Sequence, residues 1–248
     1  MKLKKSNGLT MPRRFRHLLL QLALQARNDL EKVPRHPKRS IHALRTRMKK
    51  LPAILRLVES QLPDRSRRAI LDSAKRLRKA FAAQRDAHVA ADLGFAPKRR
   101  AKPHATTPLF DEVSRLTELL EKEMLDGLTR GQVRDAYIHT YRKGRKCMKD
   151  CLKDPAPKRL HAWRKPVKEL YYQSLALHTV KHMTHRLRHA RKLGHLLGKY
   201  HDWQLIIEHT PASARKLAPK RKKLRHRIFK LAHELYSKRP KKLARQFD

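Results

Sequence analysis

Apolar residues recur three and four positions apart along nearly the whole chain, and the alternation expected of strands is absent, so the pattern predicts an almost entirely helical protein. Proline, glycine and aspartate punctuate the pattern. They predict helices over 11–32, 38–60, 64–93 with a bend near Asp86, and 108–127. A second set follows over 130–152, 157–180, 184–208 with a break near 198–201, and 213–238. Four helices in each set divide the chain into halves, 1–127 and 128–248. Basic, proline-containing stretches at 94–108 and 210–222 are expected to be mobile loops, and the ending SKRPKKLARQFD a charged tail.

Two of these helices repeat a polar pattern. Residues 41–50 read IHALRTRMKK and residues 160–169 read LHAWRKPVKE, which places His42, Arg45 and Lys49 at the spacing of His161, Arg164 and Lys168, 119 positions later. At roughly 100° per residue, Lys38, His42, Arg45, Lys49 and Arg56 fall in a stripe about 60° wide. Ile41, Leu44, Met48, Leu51 and Leu55 fill the adjacent sector, as Leu160, Trp163, Val167 and Leu170 do in the second copy. A solvated helix face usually mixes signs. A purely basic stripe bordering the core is costly through desolvation and repulsion unless an anion lies against it.

A second echo aligns FAAQRDAHV at 81–89 with LGKYHDWQL at 197–205 and sets Asp86 against Asp202, 116 positions apart. Each aspartate follows a basic residue, Arg85 or His201. The pair either orients a cation of the stripe or serves as a helix cap or structural salt bridge.

Charge sharpens this picture. Lysine and arginine total 63 against 21 acidic residues, a net charge of +42, far beyond what solubility requires. A polyanionic partner relieves it most simply. The six Phe, six Tyr and two Trp form no basic-aromatic-basic run, so a reader of phosphates that ignores bases fits better than a base-stacking platform. No stretch approaches the ~20 apolar residues of a membrane span. Two cysteines suggest no disulfide framework, and the start of the chain lacks the pattern of a cleaved leader, so a cytosolic protein without membrane insertion is expected.

Catalysis finds little support. The chain has no glycine-rich phosphate loop, no Ser-His-Asp arrangement and no carboxylate cluster to hold Mg²⁺; the acidic residues of 111–126 space out as the charged side of an amphipathic helix. A non-catalytic protein without cofactor is expected. His178, His182, His185 and His189 would share a face only on a continuous helix, and a turn expected at 181–184 splits them, so no metal site is assigned. Cys147 and Cys151 are expected to pack as small apolar groups.

The His-x-x-Arg-x-x-x-Lys pattern of His42-Arg45-Lys49 and His161-Arg164-Lys168, followed by Arg85-Asp86 and by Leu197-Gly198 with His201-Asp202, resembles the CHAD family, the conserved-histidine alpha-helical domain. The resemblance covers about 10–240. It implies an all-α fold of two four-helix bundles related by a pseudo-two-fold axis, with basic residues gathered between them and binding of inorganic polyphosphate. It leaves open whether binding serves storage, sensing or targeting to polyphosphate granules. The family's Lys-x-Leu-Arg after the motif is replaced by KKLPA, with Pro52, and KELYY, with Tyr171, so two phosphate contacts are expected to be missing. Arg142 and Arg145, and Arg13, Arg16 and Arg27 on the first helix, are candidate replacements. His42 and His161 are expected to lose proton affinity among cations and regain it beside phosphate. The competing expectation is nonspecific nucleic-acid binding through the basic loops and tail.

Overall fold

Proline sets the start of five helices, where the N–H it lacks would have had no intrahelical acceptor. The computed structural model describes residues 9–95, 106–123, 125–180 and 183–247. Among them the chain forms α1 (Met11–Glu31), α2 (Pro37–Leu55), a 3₁₀ turn (Glu59–Gln61), α3 (Asp64–Ala80), α4 (Ala82–Asp92) and α5 (Thr107–Lys122). It continues with α6 (Arg130–Lys153), α7 (Pro157–Ala176), α8 (Met183–His209), α9 (Ser213–Leu235) and α10 (Pro240–Ala244). The helical class read from the sequence holds, and the described residues contain no strand. Most of the expected 94–108 loop, and His182, lie outside the described residues.

Two compact units divide between Val133 and Arg134. In the first, α1 packs on α2 and α5, α3 packs on α2 and α5, and α4 lies against α2 and α3. Its core is the predicted apolar sector of α2 (Ile41, Leu44, Met48, Leu51, Leu55), enclosed by Phe15, Leu22 and Leu30 of α1, Ile70 and Leu77 of α3, and Val113 and Leu116 of α5. Asp29 of α1 is buried in this interface, where the Arg47 guanidinium forks its carboxylate at 2.5 and 3.2 Å and also donates to the Gln25 side chain. A two-point Arg–carboxylate pair fixes orientation as well as distance. It ties α1 to α2.

Three expectations are corrected here. The helix expected over 64–93 is broken at Phe81, not bent at Asp86: Phe81 leaves helical geometry at φ −103°, ψ 28° while its ring is buried, and Asp86 sits inside α4. Among the described residues of the first unit the chain therefore forms α1 to α5, five helices rather than four. The break expected near 198–201 is absent, because Gly194 and Gly198 lie within an unbroken α8. The helix expected over 213–238 is observed as Ser213–Leu235 with Pro219 inside it, so the overlapping loop expected over 210–222 is confined to 210–212. Pro52 likewise sits inside α2, where it withdraws one donor near the helix end, and the chain then tightens into i+3 bonds at Leu57 and Val58.

In the second unit α8 packs between α7 and α9. Trp163, Val167 and Leu170 of α7, Leu193 and Leu197 of α8, and Leu224 and Ile228 of α9 are buried. The residues expected to form a charged tail are docked. Tyr141 donates to the Lys238 carbonyl at 2.9 Å, Leu243 of α10 is fully buried, Phe247 lies 5.3 Å from the Tyr137 ring, and the buried Arg186 donates to the Gln246 side chain.

Deleting 237–248 should therefore destabilise the second unit. Losing the buried Leu243 alone is worth about 2–5 kcal/mol by analogy with large-to-small core substitutions. Thermal unfolding of the truncated chain should begin at least several degrees lower, and an unchanged melting curve would show the docking to be dispensable.

Candidate functional site

In the first unit the stripe on α2 meets the ends of α3 and α4. Arg45 is half-buried, and its guanidinium donates to the Arg78 carbonyl in the last turn of α3. That turn ends at Phe81, so its carbonyls lack helical partners and accept from a cation. The Arg45 Nε is buried with no hydrogen-bond partner. Burial pushes the Arg45 pKa below its ordinary value, Arg85 and Arg78 push it further, and Asp86 opposes them. The second echo is thus brought to the first: Arg85 and Asp86 of α4 act on Arg45 of α2. Arg85 and Asp86 pair with one another at 3.6 Å, with Asp86 largely exposed.

His42 and Lys49 are exposed one turn before and one turn after Arg45 on α2. Lys38, in the first turn of α2, is paired at 2.5 Å with Asp92 at the end of α4, an exposed ion pair worth little by itself. Arg56 follows the last residue of α2. From Lys38 to Arg56 the helix rises roughly 27 Å at ~1.5 Å per residue. The stripe is elongated, which suits a polymeric ligand better than a single small anion.

In the second unit the corresponding stripe on α7 lies against α8, and glycine makes room for it. A Cβ at Gly198 would sit 3.1 Å from Nη2 of Arg164, and one at Gly194 would sit 2.9 Å from Cδ of Lys168. The two glycines, one turn apart on α8, let the Arg164 and Lys168 side chains pass over bare backbone. The Arg164 Nε is buried without a hydrogen-bond partner, as the Arg45 Nε is. Lys168 Nζ lies 5.4 Å from the ring centroids of both Tyr171 and Tyr172, within cation–π range. Tyr171, read from the sequence as a lost contact, is thus a neighbour of the motif lysine.

His161 of α7 and His201 of α8 are in contact, with ring centroids 4.1 Å apart and ring planes tilted by 45°. Desolvation pushes both below the usual imidazole pKa of 6.5; Arg164 and Lys165 add to this for His161, while for His201 the largest further cause is His161, opposed by Asp202.

The remaining basic candidates are placed elsewhere. Arg16 donates to the Glu121 carbonyl in the last turn of α5, an end-of-helix contact. Arg145 donates at 3.4 Å to the Tyr236 carbonyl just beyond α9. Arg142 and Arg13 are exposed, and Arg27 faces Glu31 at 3.7 Å on its own helix. Arg221 of α9 was not singled out by sequence reasoning. It lies 4.9 Å over the Tyr200 ring and donates to the Tyr200 hydroxyl at 2.9 Å, beside His201. The only signal for it was its place in a basic run.

Metal and thiol chemistry gain no support. The described residues contain no group of three or more His, Cys, Asp or Glu able to hold a metal ion. The His185 and His189 rings lie 3.9 Å apart, tilted by 31°, and His189 Nε2 lies 3.1 Å from Glu234. Burial raises both cysteine pKa values, that of Cys151 to about 11, so neither is an activated thiol. No helix among the described residues is long and apolar enough to cross a membrane. No protein-family model, no curated protein and no solved structure matches this chain.

The depressed His161 and His201 pKa values set a sign for stability. Between the lowered folded values and the unfolded value near 6.5 the unfolded chain binds more protons, so stability is lost as pH falls through that window. The melting temperature should drop between pH 7.5 and pH 5.5, and the drop should shrink in His201→Gln. An equal drop in the variant would remove the pair as its source.

Proposed function

We propose that this chain is a non-catalytic, CHAD-type binder of inorganic polyphosphate, with one basic cluster in each half of an internally duplicated sequence. One observation carries the reading: Arg45 and Arg164, the arginines of the two repeated motifs, each hold a buried Nε donor with no acceptor, as Arg16 and Arg221 also do. An unsatisfied buried donor costs roughly 1–3 kcal/mol. A phosphate oxygen supplies the missing acceptor together with the missing negative charge.

Polyphosphate presents a repeating anionic chain without bases. Arginine meets it as a planar fork and lysine as a compact point charge, and neither requires a particular segment of the polymer. The elongated stripe of Lys38, His42, Arg45, Lys49 and Arg56, and the His161, Arg164 and Lys168 set, suit such a ligand. Asp86 pairs with Arg85 at 3.6 Å and Asp202 acts on His201 by its charge, and the reading does not require either to meet phosphate. Binding of this kind would carry the protein to polyphosphate granules in a cytoplasm.

A second reading, nonspecific nucleic-acid binding, is favoured by α9 rather than by mobile tails. That helix carries nine Lys or Arg and one acidic residue, with Lys220, Lys222, Lys223, Arg227 and Lys230 exposed. The two readings separate by competition. Long-chain polyphosphate should displace duplex DNA and RNA at ~0.15 M salt, with log affinity falling linearly as log salt rises. Displacement in the opposite order would favour nucleic acid.

Substitution gives two expectations. Arg45→Gln combined with Arg164→Gln should weaken polyphosphate binding at least tenfold, since a hydrogen bond to a charged group is worth about 1.5–3 kcal/mol. Binding that survives at full strength would remove both motifs from the site. Gly194→Ala with Gly198→Ala should leave helical content intact, because alanine is the better helix former by roughly 1 kcal/mol per site. It should nevertheless weaken binding by displacing Lys168 and Arg164; unchanged titration would show that the glycines do not position them.

A further inference from the structure

The two clusters differ at one aligned position. Beside Arg45 the fourth helix of the first unit offers Arg85, a permanent cation; beside Arg164, α8 offers His201, a titratable one, in tilted contact with His161 at 4.1 Å. We propose that the second unit's cluster is a proton-coupled polyanion site, in which His161 and His201 take up one shared proton as phosphate enters. This rests on the polyphosphate reading above and assigns the His161–His201 pair its regulation.

The surroundings support one proton rather than none or two. On α7 the pair faces Arg164 and Lys165, and on α8 it faces Asp202 and Glu208. From α9, Arg221 reaches Tyr200, the neighbour of His201. In the free protein the cations and the loss of water keep both rings neutral at pH 7. A phosphate chain reverses the local sign of charge and favours imidazolium. Two rings in contact titrate as a coupled pair, so the first proton opposes the second. The proton comes from solvent, and no bond other than N–H forms. Affinity therefore rises as pH falls toward the free pair's titration, by up to about tenfold per pH unit for one linked proton.

The test is calorimetric titration of the full chain with long-chain sodium polyphosphate at pH 7, in two buffers of different ionisation enthalpy. The difference gives protons taken up per binding event. Wild type should take up about one proton more than His201→Arg, which places the permanent cation of Arg85 at the aligned position and should bind at pH 7.5 about as tightly as wild type binds at pH 5.5. His201→Gln should bind more weakly than His201→Arg and should likewise lack that proton, which guards against a folding defect peculiar to arginine. Arg85→His should gain proton uptake in the first unit. Equal uptake by wild type and both His201 variants, with binding intact, overturns the proton coupling and leaves polyphosphate binding standing. Absence of binding by wild type at pH 5.5 and low salt overturns both.

Discussion

A guanidinium that gives up water must find acceptors for its donors or a counter-charge for its cation. In both units the motif arginine gives up water without completing either requirement. Arg45 is half-buried, donates to a backbone carbonyl, and has Arg85 and Arg78 as cationic neighbours against the single Asp86. Arg164 passes over Gly198 beside two imidazoles, and its Nε meets no acceptor. Most other features of the clusters follow from accommodating these two side chains next to an apolar core.

The two units accommodate them differently. In the first, the helix that faces Arg45 ends at Phe81, and the end of α3 exposes a carbonyl that the guanidinium takes. In the second, α8 runs unbroken past the same alignment, offers no free carbonyl, and instead drops its side chains at Gly194 and Gly198. A helix end and a glycine pair are two ways of letting a long cationic side chain approach a neighbouring backbone. The first supplies an acceptor and the second supplies space.

Charge balance gives these local arrangements their direction. With 63 basic and 21 acidic residues, even one-to-one pairing of every carboxylate leaves 42 cations without a carboxylate partner. Some carboxylates are committed to structure, as Asp29 is to Arg47 and Glu112 is to Arg76 and Ser73. The polar residues at the C-terminus are also committed to structure through Gln246, Phe247 and the backbone of Lys238. Among the described residues much of the excess charge therefore sits on helices, with α9 and α6 carrying the most Lys and Arg.

The sequence by itself determined the helical class, the apolar sectors of α2 and α7, and the two sets of motif residues, because all of these follow from the 3.6-residue period and from residue type. Periodicity also placed most helix ends within a few residues, wherever proline or glycine marked them. It misjudged Gly198 and Phe81, where the outcome depended on what lay across the helix: a passing arginine requires Gly198, and a buried ring draws Phe81 out of helical geometry; the helix it placed over 213–238 does run through Pro219. Only the tertiary structure decided that Arg85 acts on Arg45, that His201 meets His161, that Tyr171 and Tyr172 flank Lys168, and that Arg221 reaches Tyr200. These pairings join residues on different helices, and their reason is physical: the period of one helix fixes which side chains share its face, while the partner of that face is chosen by packing between helices, which no single period encodes.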